Sequence, residues 1–367
     1  MNNKTKNIII SISFISILIG FSIINILTCD KDITYSERRK LQQLPNLTKE
    51  SVLSGDYFEK LENYLQDQFI WRDNFRFLKA FTNLKLLNQK DNNGIYLIDN
   101  NIYQMNYKFN EKSVYNAAQI YNNISSKYFK NNNIYYTIIP DKNYFASREK
   151  EYLTFDYDKM EQIMKDNTEN MKYINIMNDL SIDDYYETDL HWRQDKIIKI
   201  ADKILSSMGR AKASSNNYNK KEFYPFYGSY YGQGATKVAP DKLIYLTNSI
   251  IENCKVYDID NNKYRKIYED EEFNDVDSYN IFLGGPKPIL EIENPNSKNN
   301  KELYIFRDSF GSSLAPLLIN EYSKITLIDL RYISSTLLNE YINPKEDSDV
   351  LFMYNALILN DSSVISR

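Results

Sequence analysis

The chain is poor in the residues that build metal sites and disulfide frameworks. It contains one histidine and two cysteines among 367 residues, with only ten glycines and nine prolines. One histidine and two distant cysteines, Cys29 and Cys254, do not make an ordinary zinc site. Two cysteines do not make a disulfide framework either. We therefore expect no metal and no other cofactor, and a fold held together by its apolar core.

A surplus of positive charge is also absent. The chain has 45 Lys and Arg residues against 49 Asp and Glu residues. Proteins that bind nucleic acid usually carry a basic surface, so no nucleic-acid partner is expected. The length corresponds to one large or two modest domains. No internal repeat is visible at the periods typical of solenoids.

A long uncharged segment lies near the N-terminus. Residues 8–28 read IIISISFISILIGFSIINILT, which is 21 residues without a charge. About 20 apolar residues span a bilayer as a helix. Lys4 and Lys6 precede the run, and the positive-inside rule then puts the N-terminus in the cytoplasm. Residues 1–29 are thus predicted to be a cytoplasmic tip and a single-pass anchor in the cell membrane, with the remaining chain extracellular.

Two alternatives exist for this segment. A cleaved signal peptide usually has a shorter apolar run and a small-residue cleavage site, and no A-x-A-like site follows here. A lipoprotein site at Cys29 is conceivable, but Thr28 fits that pattern poorly. The uncleaved anchor is therefore the favoured interpretation.

The rest of the chain divides by its patterning. Residues 30–48 have mixed charge and no period, and are expected to be an extended juxtamembrane linker. Residues 49–367 are predicted to form one extracytoplasmic domain whose first part is helical, because apolar residues recur there at helix spacing. Residues 210–300 are rich in Tyr, Gly, Asn and Asp and are expected to be an irregular insertion.

The last third alternates between strand and helix patterns. ELYIF (302–306), KITLIDL (324–330) and DVLFMY (349–354) read as strands, and FGSSLAPLLINEY and ISSTLLNEYI read as helices between them. NIYYTIIP (133–140) and MKYINIM (171–177) are further predicted strands. This order predicts an α/β fold with a mostly parallel sheet and helices on its faces. In such sheets the site lies beyond the carboxyl ends of the strands.

One serine lies at a predicted strand-to-helix turn of this kind. Ser309 follows ELYIF within RDSFGSS, so its hydroxyl should be exposed and the first amides of the next helix should face any nearby oxyanion. Asp308 and Ser309 are equally suited to cap that helix. A nucleophilic serine also needs a base, and the usual base is histidine.

The single histidine lies in ETDLHWR. His191 follows Asp189 with one residue between them, in a predicted turn before a helix. The Asp189 carboxylate could fix the imidazole tautomer and leave the other ring nitrogen free to deprotonate Ser309. Asp189 could instead be a plain cap for a helix that begins at Trp192.

These residues carry a family resemblance. DLHW at 189–192 resembles the motif of the DHHW family of bacterial exported proteins. That family is similar to the alginate O-acetyltransferases AlgX and AlgJ, whose catalytic domain resembles an SGNH hydrolase. Further segments look like family segments in family order and cover most of 35–355: YSERRKLQQLPNL, IIPDKN, FLGG, RDSFGSSLAPLL and IDLRY.

The resemblance implies an SGNH hydrolase-like three-layer sandwich with a Ser-His-Asp triad. Ser309 would be the nucleophile, His191 the base and Asp189 the residue that orients it. The D-x-H pair then precedes the serine, the reverse of ordinary SGNH hydrolases. Leu190 replaces the second residue of the family motif but keeps the D-x-H spacing, and Arg307 stands where related enzymes often have glycine.

Weaker candidates for contacts to the oxyanion or the substrate lie near predicted strand ends or in a glycine turn. They are Gly284, Gly285, Arg331, Tyr332, Tyr354 and Asn355. The glycines could donate backbone N–H groups or simply make a turn. For Arg331 a surface ion pair is at least as good an explanation.

The expected function is that of an O-acetyltransferase acting on a cell-envelope polysaccharide or exopolysaccharide. No acetyl-CoA is present outside the cell, so a membrane-bound acyl-transfer partner would have to pass the acetyl group across. A carbohydrate esterase with the same triad is the first alternative. The second is a non-catalytic scaffold of a polysaccharide complex, for which His191 and Ser309 should lie apart.

Overall fold

The computed structural model describes residues 2–150, 152–274 and 276–365. Its α-helices are α1 (Asn3–Leu27), α2 (Lys49–Ser54), α3 (Asp56–Asp67), α4 (Arg72–Phe81), α5 (Glu111–Tyr128), α6 (Asn143–Lys150), α7 (Tyr157–Asn167), α8 (Ile198–Ser207), α9 (Ser229–Gly234), α10 (Ser249–Asn253), α11 (Phe310–Leu318) and α12 (Ala356–Asn360). Its strands are β1 (Ile33–Thr34), β2 (Arg39–Lys40), β3 (Ile95–Ile98), β4 (Asn101–Gln104), β5 (Asn133–Ile139), β6 (Lys172–Tyr173), β7 (Asn219–Phe226), β8 (Asp241–Thr247), β9 (Lys255–Asp258), β10 (Lys263–Arg265), β11 (Ile289–Glu293), β12 (Glu302–Arg307), β13 (Lys324–Ile328) and β14 (Asp349–Asn355).

A mostly parallel sheet forms the centre of the fold. Within the described ranges it has eight strands in the order β10-β9-β11-β13-β12-β14-β5-β6. The five strands from β13 to β6 are parallel, and β11, β9 and β10 extend the sheet antiparallel beyond β13. Every residue of β12 and β14 is buried, as expected of continuous apolar strands covered on both faces.

Helices cover both faces of this sheet. On one face Tyr121 of α5 stacks on Phe352 of β14 with 4.4 Å between ring centroids, and Phe129 meets Phe306 edge to face. On the other face, Arg307 lies against Gly311 of α11, because adjacent strand residues such as Phe306 and Arg307 point to opposite faces of the sheet. Helix α8 contacts α11 on that side. The predicted α/β three-layer sandwich is therefore confirmed.

Some short elements differ from the sequence predictions. MKYINIM forms only the two-residue strand β6, and ISSTLLNEYI forms a 3₁₀-helix at Ser335–Glu340 rather than an α-helix. Residues 210–300, expected to be irregular, contain the β7–β8 hairpin and three strands of the main sheet. Of these strands, β9 (KVYD) and β10 (KYR) are short and rich in Lys and Tyr, so their alternation between faces is weak in the sequence.

The N-terminal region has two parts. Helix α1 is long and apolar enough to cross a membrane, a test that a signal sequence near the N-terminus also passes. Residues 30–48, expected to be a linker, contain the β1–β2 hairpin, in which Ile33 pairs with Lys40. Leu41, directly after the hairpin, is buried. This segment therefore packs on the body of the protein.

Candidate active site

Three side chains form a continuous hydrogen-bonded relay at the carboxyl edge of the sheet. The Nε2 atom of His191 lies 2.7 Å from Oγ of Ser309. The Nδ1 atom of the same ring lies 2.5 Å from Oδ1 of Asp189. Asp189 and His191 are buried, whereas Ser309 is partly exposed. The relay can therefore move a proton between a buried carboxylate–imidazole pair and a hydroxyl that a substrate can reach.

Ser309 lies between the end of β12 and the start of α11. Its side chain makes no capping hydrogen bond to the helix. Asp308 takes that role, because its Oδ1 accepts from the N–H of Phe310 at 3.0 Å. The other carboxylate oxygen accepts from the N–H of Asn355 at 2.7 Å and so joins the ends of β12 and β14. The capping alternative thus holds for Asp308, and the Ser309 hydroxyl points to the imidazole.

A tight loop presents His191. The backbone of Tyr186 donates to the carbonyl of His191 at 3.1 Å, and Tyr185 forms a β-bridge with Trp192. The indole N–H of Trp192 donates to Oγ of Ser313 at 2.9 Å, which ties the loop to α11. The loop and the serine turn are thus fixed relative to each other.

The plane of the imidazole is fixed by an aromatic neighbour. The Tyr279 ring stacks on His191 with 3.8 Å between ring centroids and 6° between planes. The Tyr279 hydroxyl donates to Oγ of Ser313 at 2.9 Å. Phe310 contacts the imidazole from another side, with centroids 4.9 Å apart. Stacking of this kind holds the ring in the plane in which both of its hydrogen bonds are made.

The Asp189 carboxylate is fully buried but well satisfied. Its Oδ2 accepts from Nη1 of Arg38 at 2.8 Å and from the N–H of Ser229 at 2.7 Å. Its Oδ1 also accepts from the N–H of His191 at 2.9 Å. Burial alone would raise the pKa of Asp189, but His191, Arg38 and the Ser229 amide together hold that pKa well below its usual range. Asp189 is therefore ionised in the folded protein at neutral pH and into the acid range.

Two observations bear on how Asp189 is positioned. The α-helix that follows the loop begins at Ile198, so Asp189 does not cap it. The Cβ of an alanine at Gly228 would lie 2.3 Å from the Cβ of Asp189. Only glycine therefore allows the chain at residue 228 to pass this close to the carboxylate.

Arg38 was not anticipated from the sequence. It lies in the β1–β2 hairpin, and its side chain is only 10% exposed in its ion pair with Asp189. It also pairs with Asp277. Its backbone has φ of +54°, which residues other than glycine rarely adopt. Strained backbone of this kind tends to persist where the surroundings hold the residue for a function.

Lys142 was quoted within IIPDKN but given no role. Its buried ammonium donates to the carbonyls of Tyr186 at 2.6 Å and Glu187 at 2.9 Å. Burial lowers the pKa of Lys142 to about 7. Lys142 therefore supports the start of the loop that carries Asp189 and His191.

Asn355 lies beside Ser309 at the same edge. Arg307 pairs with Met353 at the end of the parallel ladder, and the N–H of Asn355 donates at 2.7 Å to Oδ2 of Asp308, the residue before Ser309. Its Oδ1 accepts from the N–H of Leu357 at 2.9 Å. Its Nδ2 is buried and has no hydrogen-bond partner among the described residues. An unpaired buried amide donor beside a nucleophile can stabilise an oxyanion.

The remaining candidates have other surroundings. Arg331 forms a two-pronged ion pair with Asp329, with distances of 2.9 and 2.7 Å, and Tyr332 beside it is 51% exposed. Tyr354 is buried on the α5 face of the sheet, near Tyr121. These placements do not bring the three side chains into the relay.

Gly284 and Gly285 form a turn with positive φ values of 70° and 81°. Their side-chain neighbours are Arg265 and Asn280, respectively. The turn therefore requires glycine for its backbone conformation, and within it the N–H of Gly285 donates to the carbonyl of Phe282 at 3.4 Å.

Arg307, which stands where glycine is common, is buried under α11. A Cβ at Gly311 would lie 2.7 Å from the Cβ of Arg307, so the guanidinium stem runs beneath the first turn of the helix. Nη1 lies 3.8 Å from Oδ2 of Asp329. Burial lowers the pKa of Arg307.

The described ranges contain no cluster of three or more His, Cys, Asp or Glu residues suited to a metal ion. Cys254 is buried, and burial raises the pKa of its thiol to about 12. A thiol of that kind is a poor nucleophile. The groups that the structure brings together in the relay are a serine hydroxyl, an imidazole and a carboxylate.

Comparisons with known proteins agree with this architecture. The sequence model of the family described as DHHW protein matches residues 81–328. No curated protein matches the chain. A DHHW family protein from Eubacterium siraeum has a similar structure, with a TM-score of 0.59 and 19% identity over 75% of this chain and 95% of that one.

Bacillus cereus PatB1 is similar to the same degree, with a TM-score of 0.58 and 20% identity over 72% of this chain and 96% of that one. The O-acetyltransferase domain of Pseudomonas putida AlgJ is more distant, with a TM-score of 0.41 and 12% identity over 73% and 92% of the two chains. The first two likenesses show a common fold.

Proposed function

This chain belongs to the DHHW protein family, and from that premise we propose that it is a membrane-anchored extracytoplasmic O-acetyltransferase that acts on a cell-envelope polysaccharide or exopolysaccharide. One observation carries the proposal. The hydroxyl of Ser309 lies 2.7 Å from the only imidazole in the chain, whose other nitrogen is bound to a buried carboxylate. For a non-catalytic scaffold one would expect His191 and Ser309 to lie far apart, whereas their side chains are within hydrogen-bonding distance.

The first half-reaction loads the enzyme. Oγ of Ser309 attacks the carbonyl carbon of an acetyl donor, and its proton passes to Nε2 of His191. The tetrahedral intermediate then collapses, the bond from carbon to the donor's leaving group breaks, and His191 returns the proton to that group. The negative charge of Asp189 stabilises the imidazolium in between without itself becoming protonated.

The second half-reaction uses the same groups. A sugar hydroxyl attacks the acetyl-serine carbonyl and gives its proton to His191. The bond between carbon and Oγ then breaks, and Ser309 takes the proton back. A carbohydrate esterase would differ only in that water replaces the sugar hydroxyl.

Asn355 and the start of α11 would hold the oxyanion. The Nδ2 donor of Asn355 is buried and unpaired among the described residues. The positive end of the α11 helix dipole lies at the same turn. The N–H groups of Phe310, Gly311 and Ser312 in that turn already donate to oxygens of Asp308 and Ser309. Charge develops on the carbonyl oxygen only in the transition state, so donors that are already in place stabilise it selectively.

Helix α1 would keep this reaction at the membrane. We assign residues 1–29 to a cytoplasmic tip and a transmembrane anchor, 30–48 to the connection and 49–367 to the extracytoplasmic catalytic domain. A membrane-bound partner would supply the acetyl group, since soluble acetyl-CoA is confined to the cytoplasm. Retention at the bilayer raises the frequency of encounters with such a partner.

The test is ester turnover by the full chain in vesicles. Ser309→Ala should lower the rate on a chromogenic acetyl ester by about three orders of magnitude or more. Ser206→Ala, at an exposed position on α8, is the matched control and should turn over at the wild-type rate. An unchanged rate in Ser309→Ala would sink the proposal. With a glycan acceptor present, acetylated glycan supports the transferase, whereas free acetate alone supports the esterase.

A further inference from the structure

The turn between α3 and α4 packs against the last turns of the apolar helix α1. Phe69 stacks on Phe21 with ring centroids 6.0 Å apart and planes 8° apart, and Trp71 meets the same ring edge on at 5.9 Å. The N–H of Ile70 donates to Oδ1 of Asn25 at 2.9 Å. Phe21 and Asn25 are one turn apart on the same side of α1. The two helices are therefore joined to α1 just before its C-terminal end.

One face of α3 and α4 is apolar and exposed. Trp71, Phe75 and Leu78 recur at helix spacing and are 56%, 44% and 55% exposed. With their neighbours they form what we term the α3–α4 apolar face: Leu65, Phe69, Trp71, Phe75, Leu78 and Phe81. Soluble monomers rarely leave so many large side chains together in water, and a continuous patch marks a contact surface.

The opposite side of α4 is polar and bound to the body of the protein. Nη1 of Arg72 lies 2.9 Å from Oε1 of Glu37, and Nη1 of Arg76 lies 2.6 Å from the same oxygen. Glu37 belongs to the β1–β2 hairpin and its side chain is only 11% exposed. These ion pairs orient α4 so that its apolar side points away from the catalytic domain.

We propose that the α3–α4 apolar face lies in the interfacial layer of the same bilayer that α1 crosses. The proposal rests on the membrane anchoring assigned above. Phe21 precedes the end of α1 at Leu27 by six residues, which corresponds to a depth of about 9 Å below the helix end. Amphipathic helices bury their apolar face roughly 5–10 Å into the boundary between headgroups and acyl chains.

Two features single out lipid as the occupant. The apolar face is continuous, through Phe21, with the side of α1 that faces lipid in a span. Tryptophan is the side chain most typical of the membrane–water interface, and Trp71 is at the point where the turn meets α1. The face and the span therefore share one apolar environment.

This arrangement would give the catalytic domain a fixed orientation on the membrane. Glu37, which binds Arg72 and Arg76 of the membrane-facing helix, is followed directly by Arg38, which binds Asp189. A rigid path of side chains thus runs from the bilayer surface to the relay. A single flexible tether would leave the domain free to tumble.

The two tryptophans allow a direct test. The full chain is placed in phosphatidylcholine vesicles that contain lipids brominated at shallow or deep positions of the acyl chain, and tryptophan emission is recorded. Trp71 is exposed and should be quenched strongly by shallow bromine and weakly by deep bromine. Trp192 is fully buried and should keep its emission. In Trp71→Phe the quenching should be lost.

A second pair of variants tests the face itself. Phe75→Ser with Leu78→Ser should reduce the quenching of Trp71, because the helix then has less apolar surface to bury. Tyr264→Ser is the matched control, because Tyr264 is an exposed aromatic residue on the edge strand β10. This variant should leave the quenching of Trp71 unchanged.

The proposal is overturned if Trp71 is not quenched by bromine at any depth while α1 is inserted. The aqueous quencher acrylamide then shows what surrounds the face: protection from acrylamide means that protein covers it, and quenching by acrylamide means that it lies in water. Ester turnover by Ser309 is a separate measurement, so a failure here is distinguishable from a failure of the proposed function.

Discussion

A guanidinium from the β1–β2 hairpin binds the carboxylate of the relay: Nη1 of Arg38 lies 2.8 Å from Oδ2 of Asp189. The two residues are separated by 151 positions in the sequence. Asp189 therefore carries its negative charge between two partners, the imidazole on one oxygen and the guanidinium on the other.

Arg38 is expected to act as a positioning residue for this relay. Arg38→Ala should move the acid limb of the pH–kcat/KM profile to higher pH, because an uncompensated Asp189 holds a proton on the imidazole more strongly. Arg38→Lys keeps the positive charge but loses the planar guanidinium, and should therefore shift the acid limb of the profile less than Arg38→Ala does. The profile is measured by ester turnover between pH 4 and about 9. A profile that keeps its position while activity falls would indicate a purely structural role.

Asn355 is expected to contribute to kcat. Asn355→Ser keeps an oxygen that can cap α12 but removes the Nδ2 donor. Loss of one oxyanion donor lowers kcat by about 10²–10³. KM and the melting temperature should stay close to those of the wild type, since the cap remains. An unchanged kcat would contradict the oxyanion role of this side chain.

Tyr279 is expected to act through its ring rather than its hydroxyl. Tyr279→Phe keeps the stacking on His191 and should retain most of the wild-type kcat. Tyr279→Leu removes the stacking on His191. A displacement of the imidazole by about 1 Å would lower the rate by up to about 10²-fold. Steady-state kinetics distinguish the two variants, with thermal melts to show that both are folded. Equal losses in both variants would assign the effect to the hydroxyl and its bond to Ser313.

Asp189 is expected to link stability to pH. Its pKa in the folded protein lies below the value in the unfolded chain, so the ionised carboxylate stabilises the fold above about pH 4 and this contribution is lost as the pH falls below that value. Asp189→Asn should therefore lower the free energy of unfolding at neutral pH by about 3–5 kcal/mol, as when one partner of a buried ion pair is removed. The difference in the free energy of unfolding between Asp189→Asn and the wild type should become smaller in acid.

Denaturant unfolding at neutral and acid pH measures this difference. Asp260→Asn, at an exposed position, serves as the control and should change stability little at either pH. A gap between Asp189→Asn and wild type that is the same at both pH values would contradict the linkage.

Local patterns in the sequence were enough for the five parallel strands of the central sheet, but not for β9, β10 and β11, which lie in the segment expected to be irregular. They also singled out the three residues that the structure brings together in the relay. The D-x-H pair and the Asp-Ser turn are each contiguous, and β12, β13 and β14 are short apolar runs of the kind that buried parallel strands contain. The chemical roles of Asp189, His191 and Ser309 stay predictions until the variants are measured.

Contacts between distant segments could not be predicted in the same way. Arg38 reaches Asp189 from a hairpin of two-residue strands, and Tyr279 reaches His191 from a 3₁₀-helix, so neither has a periodic signal. Lys142 stood at the end of a predicted strand, but only the fold shows that its ammonium lies under the carbonyls of Tyr186 and Glu187. Such residues are identified by tertiary geometry alone.

The position of the β1–β2 hairpin in the chain also limits how far the relay can lie from the end of α1. Arg38, at the relay, lies eleven positions after Leu27, the last residue of α1, and a chain of eleven residues spans at most about 36 Å. With α1 in a bilayer, Ser309 is confined to a thin shell above the membrane. For the proposed O-acetyltransferase, glycan beyond that shell would be out of reach, so acetylation would mark the polymer as it emerges and the pattern would be set by the timing of export.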